Sequence, residues 1–241
     1  MAVVEETRAT PAAAMPVADP APLGLAAFAL TTFMLSGHNA NFIPDLMWVG
    51  LALFYGGLVQ LLAGQWEFRN RNVFGATAFG TYGSFWIGLF LWVRFVVDPA
   101  VAAAKTPLAL AATVSALNHD LAWILLAFAI FNTYMLLWSS RVNLAVFAVF
   151  LTLEITEILL AVGFWTAAHR GVAPTGAEVG WIRAGGWAGI VTAGVAWYAS
   201  AALVLSAMNQ GRAILPLGKA LWTGDRLSVG RRQRLGRAHP A

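Results

Sequence analysis

Six long apolar runs alternate with short polar segments along the 241-residue chain. The runs cover about residues 23–39, 46–66, 75–97, 120–139, 143–168 and 185–208. Their lengths are close to the ~20 residues that an α-helix needs to cross a bilayer, whereas membrane strands are about ten residues long with alternating polarity. The pattern therefore predicts an all-α membrane protein with six transmembrane helices.

The segments between the runs carry residues typical of turns and lipid headgroup regions, notably at 44–45, 67–72, 98–107 and 169–180. The first run contains Gly37, His38 and Asn39 near its end, so we expect that helix to fray or unwind there. The chain accordingly divides into three parts. These are a disordered N-terminal arm (1–21), a six-helix transmembrane domain (22–210) and a basic tail (211–241).

Composition and charge place the chain in the membrane and suggest its orientation. Apolar residues make up 59% and charged residues 11%, which excludes an ordinary soluble domain. Six crossings put both termini on one side, and that side holds eleven of the 15 lysines and arginines. The positive-inside rule therefore predicts cytoplasmic termini. Contact with anionic lipid explains the basic tail, so no nucleic-acid partner is expected.

The residue types that support common chemistries are missing or misplaced. The chain has no cysteine, and its two lysines, Lys105 and Lys219, fall outside the apolar runs, which excludes a retinal Schiff base. No pair among the four histidines has helical ligand spacing, so no metal and no cofactor are expected. Catalytic motifs are also missing, and we expect no enzyme. A haem-binding electron carrier stays an alternative, which a Soret band would reveal.

Uncharged polar side chains inside the runs have two possible roles. They can replace the water shell of a small polar solute, or they can hydrogen-bond neighbouring helices. Their number, together with the lack of catalytic motifs, favours a permeation path. The residues are Thr31, Thr32, Asn39, Gln60, Thr77, Thr81, Tyr82, Ser84, Asn132, Thr133, Tyr134, Thr152 and Thr156.

Glu154 and Glu157 lie three residues apart near the middle of the fifth run, and this spacing puts them on one helical face. A carboxylate at the bilayer centre costs at least about 2.5–3.5 kcal/mol, so each should face the bundle, be protonated or be paired. The pair is a candidate proton site or cation ligand. A neutral, hydrogen-bonded packing role stays open.

Four sequence blocks resemble one family of transporters. Residues 19–25, Asp-Pro-Ala-Pro-Leu-Gly-Leu, resemble the Asn-Pro-Ala-Pro-Leu-Gly-Leu signature that opens the acetate uptake transporter family, which includes the bacterial succinate/acetate permeases. The stretches 54–67 (Phe-Tyr-Gly-Gly, then Gln60 and Glu67), 74–86 and 211–218 are similar to further blocks of that family, in the same order.

The resemblance implies a homohexamer in the inner membrane, in which each protomer has its own path for acetate and related short carboxylates, succinate among them. Transport in the family is linked to protons, although channel-like passage has also been proposed. A narrow apolar waist is expected from Phe28, Tyr82 and Leu153. The polar lining is expected from Thr31, Thr32, His38, Asn39 and Gln60, and the signature loop from Asp19, Pro20, Pro22 and Gly24.

The chain departs from the family pattern at acidic positions. Asp19 stands where the signature has Asn, so it can accept hydrogen bonds at the helix start but cannot donate them. Glu154 and Glu157 replace uncharged residues and would repel an anion by several kcal/mol at 4 Å for an effective dielectric constant near 20. Either they are protonated, or the solute is neutral or cationic, for example ammonium. An acetate sensor on the same fold is a further alternative.

Overall fold

The protein folds into six long helices, and the computed structural model describes residues 17–43, 47–170 and 180–223. The helices are α1 (Ala21–Asn39), α2 (Met47–Arg69), α3 (Val73–Ala103), α4 (Pro107–Ser139), α5 (Leu144–Arg170) and α6 (Gly180–Met208). All six are long and apolar enough to cross a membrane, and the described residues form no strand. The predicted all-α membrane fold with six crossings is confirmed.

Two boundaries predicted from the sequence are wrong. The helix of the first run does not fray at Gly37 but continues to Asn39. The third run is predicted to end at residue 97 and the fourth to begin at residue 120, but the residues between them, 98–119, are helical except near the turn at 104–106. Pro107 starts α4 at a position where a proline needs no hydrogen-bond partner, and the preceding Thr106 caps the helix by accepting from the Ala109 amide at 3.1 Å.

Pro99 lies inside α3 because the helix changes its hydrogen-bond register just before it. Residues Val93–Val97 form a π-helical turn, and the Asp98 amide donates to the Val93 carbonyl. A proline in a regular α-helix lacks one donor and collides with the preceding turn. The wider π turn supplies space at that point, so α3 passes the proline without ending. A second π-helical turn, Phe54–Val59, lies within α2.

The helices form a closed ring around a central axis. Neighbouring helices pack in the order α1, α6, α5, α4, α3 and α2, and α2 then contacts α1. The α3 and α4 backbones approach each other closely only near their connecting turn. Farther along, side chains bridge the gap, such as the rings of Phe85 and Phe128 with centroids 4.6 Å apart. The axis is therefore enclosed by side chains of all the helices.

Glycines make the closest helix crossings. A Cβ atom added at Gly64 of α2 would lie 2.6 Å from the Gly80 amide nitrogen of α3, and one added at Gly83 would lie 2.5 Å from the Leu61 amide nitrogen. These contacts join backbone to backbone, which is the packing that small residues permit in lipid. Gly64 and Gly83 thus let the backbones of α2 and α3 pack directly against each other.

The segment after α6 folds back onto the turn between α4 and α5. The Leu217 carbonyl accepts from the Ala145 amide at 2.9 Å, and the Leu221 amide donates to the Ser140 carbonyl at 2.8 Å. The first part of the predicted tail, residues 211–223, therefore packs against the bundle. Most of the predicted N-terminal arm, the rest of the tail and His239 lie outside the described residues.

Candidate functional site

Three cavities follow one another along the axis of the bundle. The terminal cavity, of about 230 Å³, lies at the end where α1 begins and α6 ends, and is lined by Asp19, Gln60, Glu67 and Leu203 among others. The central cavity, of about 50 Å³, is lined by Thr32, Trp86, Thr156 and Glu157 among others. The far cavity, of about 260 Å³, is lined by His38, Asp98, Asn118 and Phe164 among others.

The terminal and central cavities have three lining residues in common: Phe28, Tyr82 and Leu153. All three are buried, with 5%, 4% and 7% of their surface exposed. The rings of Phe28 and Tyr82 meet edge to face with centroids 5.9 Å apart. The residues expected to form the apolar waist thus lie together between two cavities, contributed by α1, α3 and α5.

The central and far cavities are separated by a second set of shared residues, Leu35, Asn39, Phe85, Leu125 and Leu160. Four of the five are apolar, and Asn39 is the polar member. The cavities are thus arranged in series, with a mostly apolar partition at each of the two boundaries.

The hydroxyl of Tyr82 belongs to a buried polar network between α3, α4 and α5. Its oxygen lies 3.0 Å from Asn132 Oδ1 and 3.2 Å from Glu157 Oε1. Asn132 Nδ2 donates to the Phe150 carbonyl at 2.9 Å and to Glu154 Oε2 at 2.7 Å. The Thr133 hydroxyl lies 2.8 Å from Glu154 Oε1. Side chains 75 residues apart in sequence are thereby joined at the waist.

The two glutamates differ in their surroundings. Glu157 is buried, at 5% exposed, and lines the central cavity. Glu154 is half-buried and lines none of the three cavities, and its partners are the polar groups of α4. Because residues three apart on a helix diverge by about 60° around its axis, one faces inward while the other turns toward α4 and the outer surface.

Three buried polar atoms at the central cavity have no hydrogen-bond partner. They are Thr32 Oγ1, Trp86 Nε1 and Glu157 Oε2, and each side chain is at most 5% exposed. An unpaired polar group in such a site is costly unless a solute or water binds it. Trp86 is not among the residues predicted to form the site. It follows Tyr82 by one helical turn within the 74–86 block, so the helical spacing could have indicated it.

Buried polar side chains line the terminal cavity, and one of them, Glu67, is not among the residues predicted to form the site. Glu67 is fully buried, and its Oε1 has no partner, while its Oε2 accepts from Asn70 Nδ2 at 3.3 Å. Gln60, at 1% exposed, also has an unpartnered Oε1. Within the described residues, no lysine or arginine lines any of the three cavities. Among the described residues, Asp98 of the far cavity pairs with Arg94, which lies outside the cavity lining, whereas Glu67 and Glu157 form no ion pair.

The signature loop fixes the start of α1. Asp19 Oδ1 accepts from the Ala21 amide at 3.0 Å, so the acceptor role expected at this position is present. The Pro22 carbonyl accepts from the Ser200 hydroxyl at 2.7 Å, which ties α1 to α6. A Cβ atom at Gly24 would lie 2.8 Å from the Phe79 ring, and Pro20 is buried beside them.

The predicted polar lining is divided among several places. Thr32 lines the central cavity, His38 the far cavity, Asn39 both of these, and Gln60 the terminal cavity. Thr31 is instead packed against Gly56 of α2 and lines none of the three. The polar residues of α3 that face outward line a groove beside α4 rather than the axis. They are Thr77, Thr81 and Ser84.

A family model described as the GPR1/FUN34/yaaH family matches residues 4–215. The chain belongs to the GPR1/FUN34/yaaH family. The family resemblance carried by the four sequence blocks is therefore confirmed, and the match covers all six helices.

The relatives of this chain include fungal and bacterial proteins. Ammonia transport outward protein 2 of Saccharomyces cerevisiae is 37% identical over 83% of this chain and 66% of its own length. Acetate permease A of Emericella nidulans is 38% identical over 86% of this chain and 67% of its own length. The succinate-acetate/proton symporter SatP of Escherichia coli is 31% identical over 85% and 97%. The chain thus spans about two thirds of the fungal relatives and nearly all of SatP.

A solved structure of the family shares the fold. The structure of the bacterial acetate channel SatP superposes with a TM-score of 0.69 at 29% identity, covering 84% of this chain and 99% of the other. The family match extends over the six helices that enclose the three cavities.

Proposed function

We propose that this protein is a plasma-membrane transporter or channel for acetate and related short carboxylates, succinate included, with protons as its co-substrate. The observation that carries the proposal is the waist of Phe28, Tyr82 and Leu153 between two axial cavities. An apolar waist selects by size and hydration, because a solute passes only after losing water. The names of acetate permease A and of SatP, at 38% and 31% identity, support acetate as the cargo.

The charges along the axis support passage of the carboxylate together with a proton. Glu157 faces the central cavity, and no described lysine or arginine lines the three cavities. A bare acetate anion 4 Å from an ionised glutamate meets repulsion of about 4 kcal/mol at an effective dielectric constant of 20. A protonated Glu157, or a protonated solute, removes that repulsion. Glu157 is therefore the proposed proton site, and Glu154 is its neighbour in the network.

The proposal includes orientation, assembly and the lack of enzymatic activity. The ends of the described chain lie at the terminal cavity, since the Ser200 hydroxyl near the end of α6 bonds the Pro22 carbonyl of α1. The distribution of lysine and arginine supports placing that end in the cytoplasm. The resemblance to the acetate uptake transporters supports a homohexamer with one path in each protomer. The transporter and channel relatives support transport without chemical conversion of the solute.

Acetate uptake into proteoliposomes tests this function. Labelled acetate is supplied with and without an inward proton gradient to vesicles holding the wild type, Tyr82→Ala or Glu157→Gln. We expect gradient-dependent uptake by the wild type, altered competition by larger carboxylates in Tyr82→Ala, and a flattened pH dependence in Glu157→Gln. Phe95→Ala is the matched control, because this α3 aromatic is 71% exposed on the outer surface. Wild-type vesicles that take up no acetate under any gradient would contradict the proposal.

A cationic or neutral nitrogen compound is the second candidate cargo. Its support is the unpartnered Glu157 Oε2 in the central cavity, which suits a cation or a hydrogen-bond donor better than an anion. The relative named ammonia transport outward protein 2 points the same way. Competition separates the candidates: ammonium at equal concentration should leave acetate uptake unchanged if acetate is the cargo. If ammonium is the cargo, its uptake should be faster in vesicles that hold the protein than in protein-free vesicles, and Glu157→Gln should slow it.

A further inference from the structure

The Tyr82 hydroxyl lies between two oxygen atoms that both stand within hydrogen-bond distance. Asn132 Oδ1 is 3.0 Å away and Glu157 Oε1 is 3.2 Å away. A tyrosine hydroxyl has one hydrogen to donate. Tyr82 therefore cannot donate to both oxygens at once, and the network must choose between two arrangements.

The orientation of the Asn132 amide is fixed by its other contacts. Its nitrogen is 2.9 Å from the Phe150 carbonyl oxygen and 2.7 Å from Glu154 Oε2. A flipped amide would place its own oxygen against two acceptors. Asn132 consequently presents Oδ1, a group that can only accept, to Tyr82.

The protonation state of Glu157 then decides the direction of the Tyr82 hydroxyl. When Glu157 is protonated, it can donate to the Tyr82 oxygen, and Tyr82 donates to Asn132 Oδ1, so both hydrogens and the Asn132 oxygen have a partner. When Glu157 is ionised, the carboxylate attracts the Tyr82 hydrogen into a charge-assisted bond. Asn132 Oδ1 is then left without its donor in a fully buried site, which is unfavourable.

We propose that Asn132 is a positioning residue that couples the protonation of Glu157 to the direction of the Tyr82 hydroxyl at the waist. The coupling deepens the proposed function, on which its meaning for transport rests. The Asn132 oxygen stabilises the arrangement in which the Tyr82 hydroxyl donates to it. Because Glu157 is protonated in that arrangement, Asn132 favours the protonated form of Glu157. A residue on α4 that lines none of the three cavities thus influences the proton site.

The surroundings of Glu157 leave few other groups that could produce the same effect. The titratable groups facing it are Tyr82 of α3 and Glu154 of its own helix. The histidine of α1, His38, lines the far cavity, and Tyr134 of α4 is 44% exposed. From α6, the nearby polar group is the uncharged Thr192, which contacts Thr156 at 3.2 Å.

Infrared titration of the purified protein in lipid vesicles tests the coupling without any substrate. The protonated-carboxyl band that Glu157→Gln removes reports Glu157, and the tyrosine ring band that Tyr82→Phe removes reports the hydroxyl of Tyr82. In the wild type we expect both bands to change with one midpoint. A Tyr82 band that stays constant while Glu157 titrates would overturn the proposal, even if no variant of Asn132 folds.

Asn132→Leu removes the acceptor and gives the second expected result. The Glu157 midpoint should move to lower pH by roughly 0.7 unit, about fivefold in proton affinity, for the loss of one net hydrogen bond. The Tyr82 band should then stop responding. Thr133→Val is the matched control, because it removes the other donor to Glu154 from the same helix. An equal shift in Thr133→Val would show that the effect acts through Glu154, and an unshifted midpoint in Asn132→Leu would refute the coupling.

Acetate uptake in the same vesicles separates this inference from the proposed function. If the pH profile of uptake moves with the Glu157 midpoint in Asn132→Leu, both stand. If the spectra show the coupling but no vesicle takes up acetate, the proposed cargo fails and the role of Asn132 stands. If acetate enters but the wild-type Tyr82 band stays constant while Glu157 titrates, the coupling is refuted and the proposed function stands.

Discussion

Replacing Gly64 by alanine should force α2 and α3 apart where they cross. The added Cβ would lie 2.6 Å from the Gly80 amide nitrogen, 3.0 Å from the Gly80 Cα and 3.1 Å from the Phe79 carbonyl carbon. Non-bonded carbon atoms prefer separations of about 3.5–4.0 Å, so the backbones must move by roughly 1 Å. No side chain can rotate away, because all three atoms belong to the backbone of α3.

The expected loss of stability follows from two opposing effects. Overpacking costs typically about 1–3 kcal/mol, and the helical preference of alanine over glycine returns about 0.5–1 kcal/mol. At the middle of both ranges the net loss is about 1.2 kcal/mol, which lowers the Tm of a chain of this length by roughly 3–5 °C.

Thermal unfolding in detergent measures the change in Tm. The fraction of protein that stays monodisperse is recorded after heating to each temperature. Gly194→Ala on α6 is the control, because a Cβ there meets no atom within 4 Å, and its Tm should equal or exceed that of the wild type. The Tm of Gly64→Val should be lower than that of Gly64→Ala. A Gly64→Ala protein as stable as the wild type would refute the close backbone crossing of α2 and α3.

Three further substitutions test the waist, the central cavity and the C-terminal segment. Leu153→Ala should join the cavities of about 50 and 230 Å³. Butyrate should then compete better with acetate for uptake into proteoliposomes. Unchanged selectivity between the two would exclude Leu153 from the waist. Trp86→Phe removes an unpartnered indole N–H at the central cavity and should raise the apparent KM for acetate about fivefold, whereas Trp123→Phe, 54% exposed, should not. Tyr198→Phe removes a 2.7 Å hydrogen bond to the Pro216 carbonyl, worth about 1 kcal/mol. Trypsin should then cleave the C-terminal segment faster, and an unchanged rate would show that this bond does not hold it.

The six crossings could be predicted because a bilayer imposes a length and a composition on each of them. The helix ends could not be predicted as well, since the segment 98–107, which includes two prolines, has the composition of a loop. Pro99 is accommodated by a π turn, a property of hydrogen-bond register that composition does not report. The start of α4 at Pro107 could have been predicted, because Thr106 directly precedes the proline and caps the helix.

The candidate site shows a similar division. The family resemblance indicated Phe28, Tyr82 and Leu153, although only Tyr82 lies within a matching block, and the structure brings these three together. The different positions of Glu154 and Glu157 depend on how α5 is rotated against α4, which the three-residue spacing alone does not fix. Asn132 could be recognised as a partner of Tyr82 only through a contact between residues 50 apart in sequence.

The joining of the first and last helices determines when the bundle can be completed during synthesis. The Ser200 hydroxyl and the Pro22 carbonyl that it bonds are 178 residues apart. At roughly 5–20 residues per second, on the order of ten to thirty seconds pass between the emergence of these two positions from the ribosome. During that interval α1 exposes Ser36, which is buried against Gly189 of α6 in the finished bundle, to lipid or to the insertion machinery. A chain that stops before α6 consequently leaves α1 without its main neighbour, so that truncated products should be recognised as unassembled and degraded.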